Sequence, residues 1–350
     1  MNKRWFETLR ASCSSNQMCV LIIGTVLLVV LASGATYLLT KQHYENLLAE
    51  VHPIFVPDSP YTFLRPLVGI HVPGDLNSTL TRTKSGIRSI ISQEPAGTVT
   101  RYSVYLRDLG TGNWTGINEN DTFDPASMLK VVIAIAAYRQ AEKDPDYLTH
   151  WLTYTSDVAD ANSSLPYSLG TSLTVGHSYS VPYLIRAALV DSDNGAAFTL
   201  LKSIRDEEID GVYDDLSVRE PNKADSSGYR LSALEYSRFF RILYNGTLSL
   251  NWDHSEQILR DLTQATFVSG LVAGVPASIP VAHKYGEHVS TADGQRLLSL
   301  QLSDCGIVYY PDHPYFLCVM LEGKDPDALA KVIARVSRYT YDHIATGTEN

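Results

Sequence analysis

The sequence predicts an α+β fold, in which an antiparallel sheet is flanked by helices, an all-helical subdomain lies beside the sheet, and one transmembrane helix precedes both. Strand-like segments in residues 102–117 and 281–322 flank a long helical stretch, so they most simply form one sheet. An uncharged apolar run near the N-terminus supplies the transmembrane helix. With 45% hydrophobic and 19% charged residues, the chain has enough apolar surface for a folded core. A cleft between sheet and helical subdomain is the expected site.

The charge balance and the spacing of cysteine and histidine exclude several classes of function. Lys and Arg number 28 and Asp and Glu 38, and the resulting net charge of −10 argues against nucleic-acid binding. The four cysteines form no Cys-x-x-Cys or Cys/His spacing, and the ten histidines show no metal-ligand pattern. We therefore expect no nucleic-acid partner, no metal and no cofactor. His283 and His288, beside a strand end, are expected to face solvent.

Residues 18–40 carry no charge and form a run long enough to cross a hydrocarbon core of about 30 Å at about 1.5 Å per residue. Lys3, Arg4 and Arg10 precede this run, so the positive-inside bias places residues 1–17 in the cytoplasm. The sequence predicts a single-pass membrane protein whose remaining chain lies outside the cytoplasm, in the cell envelope. A cleaved signal peptide is the alternative, although its apolar region is typically about 7–15 residues long.

Residues 41–74 are expected to form a stalk, because prolines recur from Pro53 to Pro73 and forbid a continuous helix. The apolar side chains of this segment indicate that it lies along the domain. The predicted domain covers residues 75–345 and leaves a short tail at 346–350.

The elements of the domain follow from apolar periodicity and turn residues. A helix over 77–92 precedes two strands that are joined at Gly110–Gly112. The chain from Pro125 to Lys143 is apolar on nearly every helical face, so it is the buried central helix. The elements expected after it are helices over 181–204 (broken at 191–195) and 232–245, strands over 281–286, 305–311 and 315–322, and a C-terminal helix over 329–339.

Cys305 and Cys318 fall on the last two predicted strands, which Pro311–Pro314 connects. If Tyr310 faces Tyr315, the two cysteines lie diagonally at about 7–8 Å, beyond the usual span of a disulfide. The sequence therefore favours two buried free thiols, although a one-step change in register would reverse this.

Ser127 and Lys130 lie three positions apart at the start of the central helix and so share a helix face. A hydroxyl becomes a nucleophile when a base takes its proton, and burial can lower the pKa of a lysine until its amine serves as that base. Lys130 is the lone charge on a segment whose composition requires burial. For this pair alone, the alternative is a lysine whose stem reaches water.

Two further tripeptides offer polar groups. Ser192-Asp193-Asn194 interrupts a helical stretch with a hydroxyl and a carboxamide, although a lone tripeptide of this kind is as typical of a turn with a helix cap. Lys284-Tyr285-Gly286 ends a strand, where Lys284 supplies a positive charge and Gly286 lets backbone approach closely. Alone, it would usually be a solvated lysine.

In this order, Ser127-Met128-Leu129-Lys130, Ser192-Asp193-Asn194 and Lys284-Tyr285-Gly286 resemble the signature of class A β-lactamases and penicillin-binding proteins. The resemblance covers roughly residues 75–345 and implies the serine β-lactamase or D,D-peptidase-like fold. It implies a serine hydrolase that forms an acyl-enzyme, with a β-lactam or a peptidoglycan stem peptide as substrate, and the apolar run 18–40 adds the membrane anchor. It also implies that Ser127 is the nucleophile, Lys130 the base in acylation, and Ser192 a proton shuttle to the leaving nitrogen.

The same resemblance implies the substrate-binding groups. Asn194 would hydrogen-bond the substrate amide, Lys284 would attract the substrate carboxylate, and the backbone N–H groups of Ser127 and Glu287 would form the oxyanion hole. Gly286 and Tyr285 belong to this set, but Tyr285 stands where the family has Thr or Ser and is far bulkier. The carboxylate contact at that position is therefore the weakest part of the resemblance.

The deacylation base is the second departure from the family. Its lactamases activate the hydrolytic water with a carboxylate in an Arg-x-Glu-Pro setting, whereas this chain has Arg219-Glu220-Pro221, one residue shorter. Glu220 is either that base or a residue of a surface turn, so deacylation is expected to be slow. The alternatives to a β-lactamase-like hydrolase are a penicillin-binding-protein-like D,D-peptidase and a non-catalytic envelope binding or sensor domain.

Overall fold

A computed structural model describes residues 16–49, 61–64, 76–156, 167, 173–221, 228–247, 250–292 and 296–346. The chain divides into two compact units, of which the first contains the N-terminal helix and the second contains the strands and the other helices. Most of the predicted N-terminal segment 1–17, much of the predicted stalk 41–74 and nearly all of the tail 346–350 lie outside the described residues.

Helix α1 (Asn16–Ala49) contains the predicted apolar span 18–40 and continues beyond it. Among the described residues, its segment Ile23–Gln42 is the one stretch long and apolar enough to cross a membrane. Large side chains such as Leu28 and Leu39 are more than two-thirds exposed, so the helix presents apolar surface on all sides. A signal sequence near an N-terminus has the same length and composition.

The remaining elements in chain order are α2 (Leu76–Ser92), β1 (Val99–Asp108), β2 (Trp114–Ile117), β3 (Thr122–Phe123), α3 (Lys130–Lys143), β4 (Trp151–Thr153), β5 (Ser178–Ser180), α4 (Val181–Val190), α5 (Asn194–Leu201), α6 (Asp206–Leu216), β6 (Leu231–Ser232), α7 (Ala233–Asn245), α8 (Trp252–Leu262), β7 (Val281–Ala292), β8 (Arg296–Val308), β9 (Tyr315–Gly323) and α9 (Pro326–Thr346). Strands β2-β1-β9-β8-β7 form an antiparallel sheet in that order. The predicted α+β architecture is confirmed.

The sheet separates two hydrophobic cores because successive strand residues point to opposite faces. On β1, Tyr105 belongs to the core shared with α3 and the other helices of the helical subdomain. Its neighbours Val104 and Leu106 belong to the core beneath α2 and α9. Each strand of the sheet centre is therefore buried on both faces.

The central helix α3 is buried around nearly its whole circumference, as its composition predicts. Val131, Val132 and Ile135 are at most 1% exposed. The helix packs against α4, α5, α6 and α8, which form the helical subdomain. The short 3-10 helix Ala126–Leu129, which precedes α3 and carries the predicted nucleophile, lies against β7 at the edge of the sheet.

The predicted free thiols are wrong, because Cys305 and Cys318 form a disulfide. The error lies in the register of the last hairpin. Tyr315 pairs with Val308 rather than facing Tyr310, which places Cys305 directly opposite Cys318. The connecting segment from residue 309 to 314 is longer than the sequence pattern suggested, since Tyr309 and Tyr310 lie outside the strand.

Residues 41–49 of the predicted stalk continue helix α1, whereas residues 61–64 belong to the second unit. The carboxylate of Glu256 on α8 accepts hydrogen bonds from the backbone N–H groups of Thr62, Phe63 and Leu64, at 2.9, 2.7 and 2.9 Å. The Leu64 side chain is fully buried in the core. This short segment is thus fixed by a buried side chain and by a carboxylate that satisfies its backbone donors.

Candidate active site

Ser127 lies one turn before α3 rather than in it. The 3-10 helix Ala126–Leu129 carries it, and Ala126 before it adopts a left-handed conformation with φ 44°. The Nζ atom of Lys130, the first residue of α3, lies 2.6 Å from the Oγ atom of Ser127. The short spacing of the pair therefore brings amine and hydroxyl into direct hydrogen-bond contact, as the sequence predicts.

The surroundings of Lys130 prepare its amine to accept a proton. Burial lowers its pKa to about 7, and the carboxylates of Asp193 and Glu287 partly oppose that shift. The Nζ atom also donates to the backbone O of Ser192 at 2.8 Å and to Oδ1 of Asn194 at 2.5 Å. A lysine that is only part-protonated at neutral pH and held against a serine can act as its general base.

Ser192 links this pair to β7. It follows the end of α4 in a left-handed conformation with φ 57°, and Asp193 after it caps α5 by accepting a hydrogen bond from the N–H of Ala196. The Ser192 Oγ atom lies 3.2 Å from Nζ of Lys130 and 2.8 Å from Nζ of Lys284. The hydroxyl thus bridges two amines and can pass a proton between them and a bound substrate.

Strand β7 brings its predicted residues to the same place. Lys284 is 1% exposed, and burial lowers its pKa well below the usual value, with the nearby charge of Lys130 acting in the same direction. A Cβ atom at Gly286 would lie 2.5 Å from the backbone O of Pro125. Glycine is therefore required where the strand meets the turn that carries Ser127.

Tyr285 and Glu287 make contacts that the sequence analysis missed. The Tyr285 hydroxyl donates to the backbone O of Tyr167 at 3.0 Å, and its ring stacks on Phe267 at 4.4 Å between centroids. The Glu287 carboxylate accepts from the backbone N–H of Tyr167 at 3.0 and 3.3 Å. Tyr167 contributes through backbone atoms, which carry no sequence signal.

The expectation that His283 faces solvent is wrong. It is 1% exposed, and its Nδ1 atom lies 2.7 Å from Oδ1 of Asp304, which is also buried. Asp304 accepts a second hydrogen bond from the N–H of Leu271. The pair lies on neighbouring strands β7 and β8, where residue 283 is next to Lys284. His288 remains half-exposed, 3.3 Å from Asp124.

Glu220 is buried, which removes the interpretation as a residue of a surface turn. Burial raises the pKa of the Tyr213 hydroxyl on α6, and the charge of Glu220 acts in the same direction. Within the described part of the chain, no group of three or more His, Cys, Asp and Glu side chains is arranged to hold a metal ion.

Comparison with known proteins decides the family. The sequence model described as the beta-lactamase enzyme family matches residues 82–344. The chain belongs to this family. The beta-lactamase of Streptomyces lavendulae is 26% identical over 252 residues, which are 66% of the chain and 76% of that relative. The beta-lactamase of Streptomyces fradiae is 30% identical over 104 residues, so the match spans 30% of the chain and about a third (34%) of that relative.

Solved structures of β-lactamases and of a related protein share the fold of this β-lactamase family member. PBP-A has a TM-score of 0.62 at 19% identity and covers 76% of this chain and 97% of its own. The class A beta-lactamase from Mycobacterium abscessus has a TM-score of 0.62 at 20% identity and covers 75% and 99%. The predicted serine β-lactamase and D,D-peptidase-like fold is therefore confirmed.

Proposed function

We propose that this chain is a serine hydrolase that forms an acyl-enzyme on Ser127 with β-lactams or D-alanyl peptide amides. The observation that carries the proposal is the contact of 2.6 Å between Oγ of Ser127 and Nζ of Lys130, whose pKa is lowered to about 7. The likeness to PBP-A supports the substrate class, since a variant of that protein has been solved as an acyl-enzyme with penicillin G.

Acylation uses groups that already touch one another. Lys130 takes the proton of Ser127, whose Oγ attacks the carbonyl carbon and forms the ester bond. The C–N bond then breaks, and Ser192 gives its proton to the leaving nitrogen and regains one from Lys130, 3.2 Å away. The backbone N–H groups of Ser127 and Glu287 are proposed to hold the developing oxyanion. Asn194 positions the substrate amide beside them.

Deacylation is proposed to be the slower half-reaction. It requires a base that deprotonates a water molecule, and such assistance is worth about 10²–10⁴-fold. Glu220 is the candidate, but its motif Arg219-Glu220-Pro221 is one residue shorter than the Arg-x-Glu-Pro setting of the family's lactamases. The acyl-enzyme should therefore accumulate.

A chromogenic β-lactam tests this function in the full-length chain in detergent. We expect a burst of about one product per enzyme followed by a slow steady state, which marks an accumulating acyl-enzyme. Steady turnover that begins without a burst and is abolished in Glu220→Gln would instead show a working deacylation base. The absence of both burst and turnover with several β-lactams would overturn the hydrolase proposal.

We further propose that α1 anchors the protein in the membrane with residues 1–17 in the cytoplasm and the hydrolase domain in the cell envelope. The exposed apolar surface of Ile23–Gln42 supports the anchor. The disulfide between Cys305 and Cys318 supports the location, because disulfides persist mainly outside the reducing cytosol. Peptidoglycan stem peptides would be accessible there.

A penicillin-binding-protein-like D,D-peptidase is the second candidate. The fold is shared equally with PBP-A and with a class A beta-lactamase, and the shortened motif around Glu220 is the observation that favours the peptidase. A D-alanyl peptide amide would acylate Ser127 by the same steps, and another amine could then receive the acyl group. Release of D-alanine from such a peptide by wild-type protein, absent in Ser127→Ala, would identify this activity.

A further inference from the structure

Strand β7 forms one end of the site and contributes three buried side chains. They determine which chemical group of a substrate can lie at that end. Lys284, Tyr285 and Glu287 are 1%, 4% and 3% exposed. Oγ of Ser192 lies 2.8 Å from Nζ of Lys284. If the leaving nitrogen of a substrate reaches Ser192, the group bonded to the carbon atom beside that nitrogen therefore lies against these three residues. In penicillins and in D-alanyl-D-alanine that group is a carboxylate.

Lys284 has at most one hydrogen-bond donor left for such an anion. Its Nζ atom already donates to Ser192 and to the backbone O of Tyr285, at 2.8 and 3.3 Å. It also lies 4.4 Å from the centroid of the Tyr285 ring. Burial and the neighbouring charge of Lys130 lower the pKa of Lys284 well below its usual value, so the positive charge is costly to keep.

Tyr285 occupies space beside Ser192 that a smaller residue would leave open. Its ring is held between Lys284 and Phe267, and its hydroxyl interacts with the Ser192 side chain and donates to the backbone O of Tyr167. The phenol is therefore fixed at both its ring and its oxygen. A substituent against β7 has to contact this phenol.

Glu287 adds a carboxylate at the same end of the site. Two hydrogen-bond contacts from the N–H of Tyr167 hold it there. It interacts electrostatically with both Lys130 and Lys284, and burial raises its pKa. A second anion close to this carboxylate is disfavoured, because like charges in a poorly solvated site repel each other.

We propose that Tyr285 and Glu287 are specificity-determining residues that select acyl donors with an uncharged ester or amide in place of the carboxylate next to the scissile amide. A neutral ester or amide in this position brings no negative charge near the Glu287 carboxylate. This inference rests on the proposed function, since it concerns the substrate that acylates Ser127.

Benzylpenicillin and its methyl ester test the proposal, because they differ only in this charge. The second-order rate constant of acylation of the full-length chain in detergent is measured by intact mass for each compound. Each constant is divided by the rate constant of the same compound with hydroxide, which removes the difference in intrinsic reactivity. The wild-type protein should favour the ester by about tenfold or more, the size of a one-unit electrostatic effect.

Two variants test whether Glu287 and Tyr285 cause the preference for the ester over the acid. Glu287→Gln removes the charge and Tyr285→Thr removes the ring, and each should lower the ratio of ester to acid rates by about tenfold, chiefly through faster reaction of the acid. Glu207→Gln is the matched control, because Glu207 is an exposed carboxylate paired with Arg205, and it should leave the ratio unchanged.

A wild-type preference for the free acid would overturn the inference, as would an unchanged ratio in both Glu287→Gln and Tyr285→Thr. These outcomes leave the proposed function intact, since both require an adduct on the wild-type protein. If neither compound acylates the wild-type protein, or if both label Ser127→Ala equally, the proposed function fails and the inference fails with it.

Discussion

At the scale of single residues, the ability of Lys130 to take the proton of Ser127 depends on burial of the amine more than on the spacing of the two residues. The three-residue interval places the two side chains together, but an exposed lysine would stay charged and could not accept the proton. Here Lys130 is 4% exposed, and its pKa falls to about 7. The apolar surroundings that bury Lys130 therefore also leave part of its amine unprotonated at neutral pH, where it can accept a proton.

The pH dependence of acylation follows from this pKa. Lys130 is neutral above a pKa of about 7 and protonated below it, so the acylation rate should rise as pH increases through 7 and then level off. Lys130→Arg keeps the positive charge at every accessible pH and should lower the plateau by about 10²–10⁴-fold. Stopped-flow acylation with a chromogenic β-lactam measures both effects. A rate in the wild type that falls as pH rises through 7 would contradict the role of Lys130 as base.

The three sequence motifs predicted side chains that the structure brings into contact, but they did not predict all of the neighbouring contacts. Ser127, Lys130, Ser192, Asn194 and Lys284 were recognised because the family motif depends on their side chains. The contacts of Tyr167 are partly made by its backbone N–H and O, which every non-proline residue possesses, so no residue type marks them.

At the scale of elements, the register of the last two strands determines whether Cys305 and Cys318 can form a disulfide, and the sequence pattern did not predict that register. The sequence pattern predicted β9 and only the C-terminal end of β8, as a strand over 305–311, and the pairing of these strands depends on where the connection between them begins and ends. Asp312 adopts a left-handed conformation with φ 61°, in a turn where the N–H of His313 bonds the backbone O of Tyr310. The resulting pairing places Cys305 beside Cys318 on one side and Lys284 on the other.

The disulfide should stabilise the sheet beside the site. Replacing both cysteines, Cys305→Ala with Cys318→Ala, should lower the free energy of unfolding by about 2–4 kcal/mol, because the cross-link restricts the unfolded chain. Urea unfolding followed by tryptophan fluorescence gives the midpoint. Dithiothreitol should lower the midpoint of the wild type and leave the double variant unchanged. An equal effect of dithiothreitol on both proteins would refute a stabilising role for this bond.

At the scale of the whole molecule, the two units have different surfaces. The described domain buries its apolar side chains in two cores on either side of the sheet. By contrast, α1 exposes Ile23, Leu27, Leu31 and Leu38. This apolar surface suits the proposed membrane anchor, and a signal sequence near an N-terminus has the same composition. Composition predicted this contrast, because the apolar run has no periodicity that would leave a polar face.

Protease accessibility tests the proposed topology. In spheroplasts, external protease should degrade the domain beyond residue 41 and spare an N-terminal tag, since the basic residues Lys3, Arg4 and Arg10 favour a cytoplasmic N-terminus. Immunoblots against the tag and against the domain measure the protection of each part of the chain. Lysis with detergent should make the tag accessible to the protease as well. A domain that resists protease until the cells are lysed would contradict the envelope location.

Covalent labelling tests the central claim, that Ser127 is a nucleophile activated by Lys130, most directly. The full-length wild-type protein, incubated with benzylpenicillin or its methyl ester, should gain the mass of one molecule, and peptide mapping should place the adduct on Ser127. Ser92→Ala, which removes an exposed hydroxyl at the end of α2, is the matched control and should label like the wild type. Ser127→Ala should show no adduct. Equal labelling of Ser127→Ala, or an adduct mapped to another residue, would contradict the account.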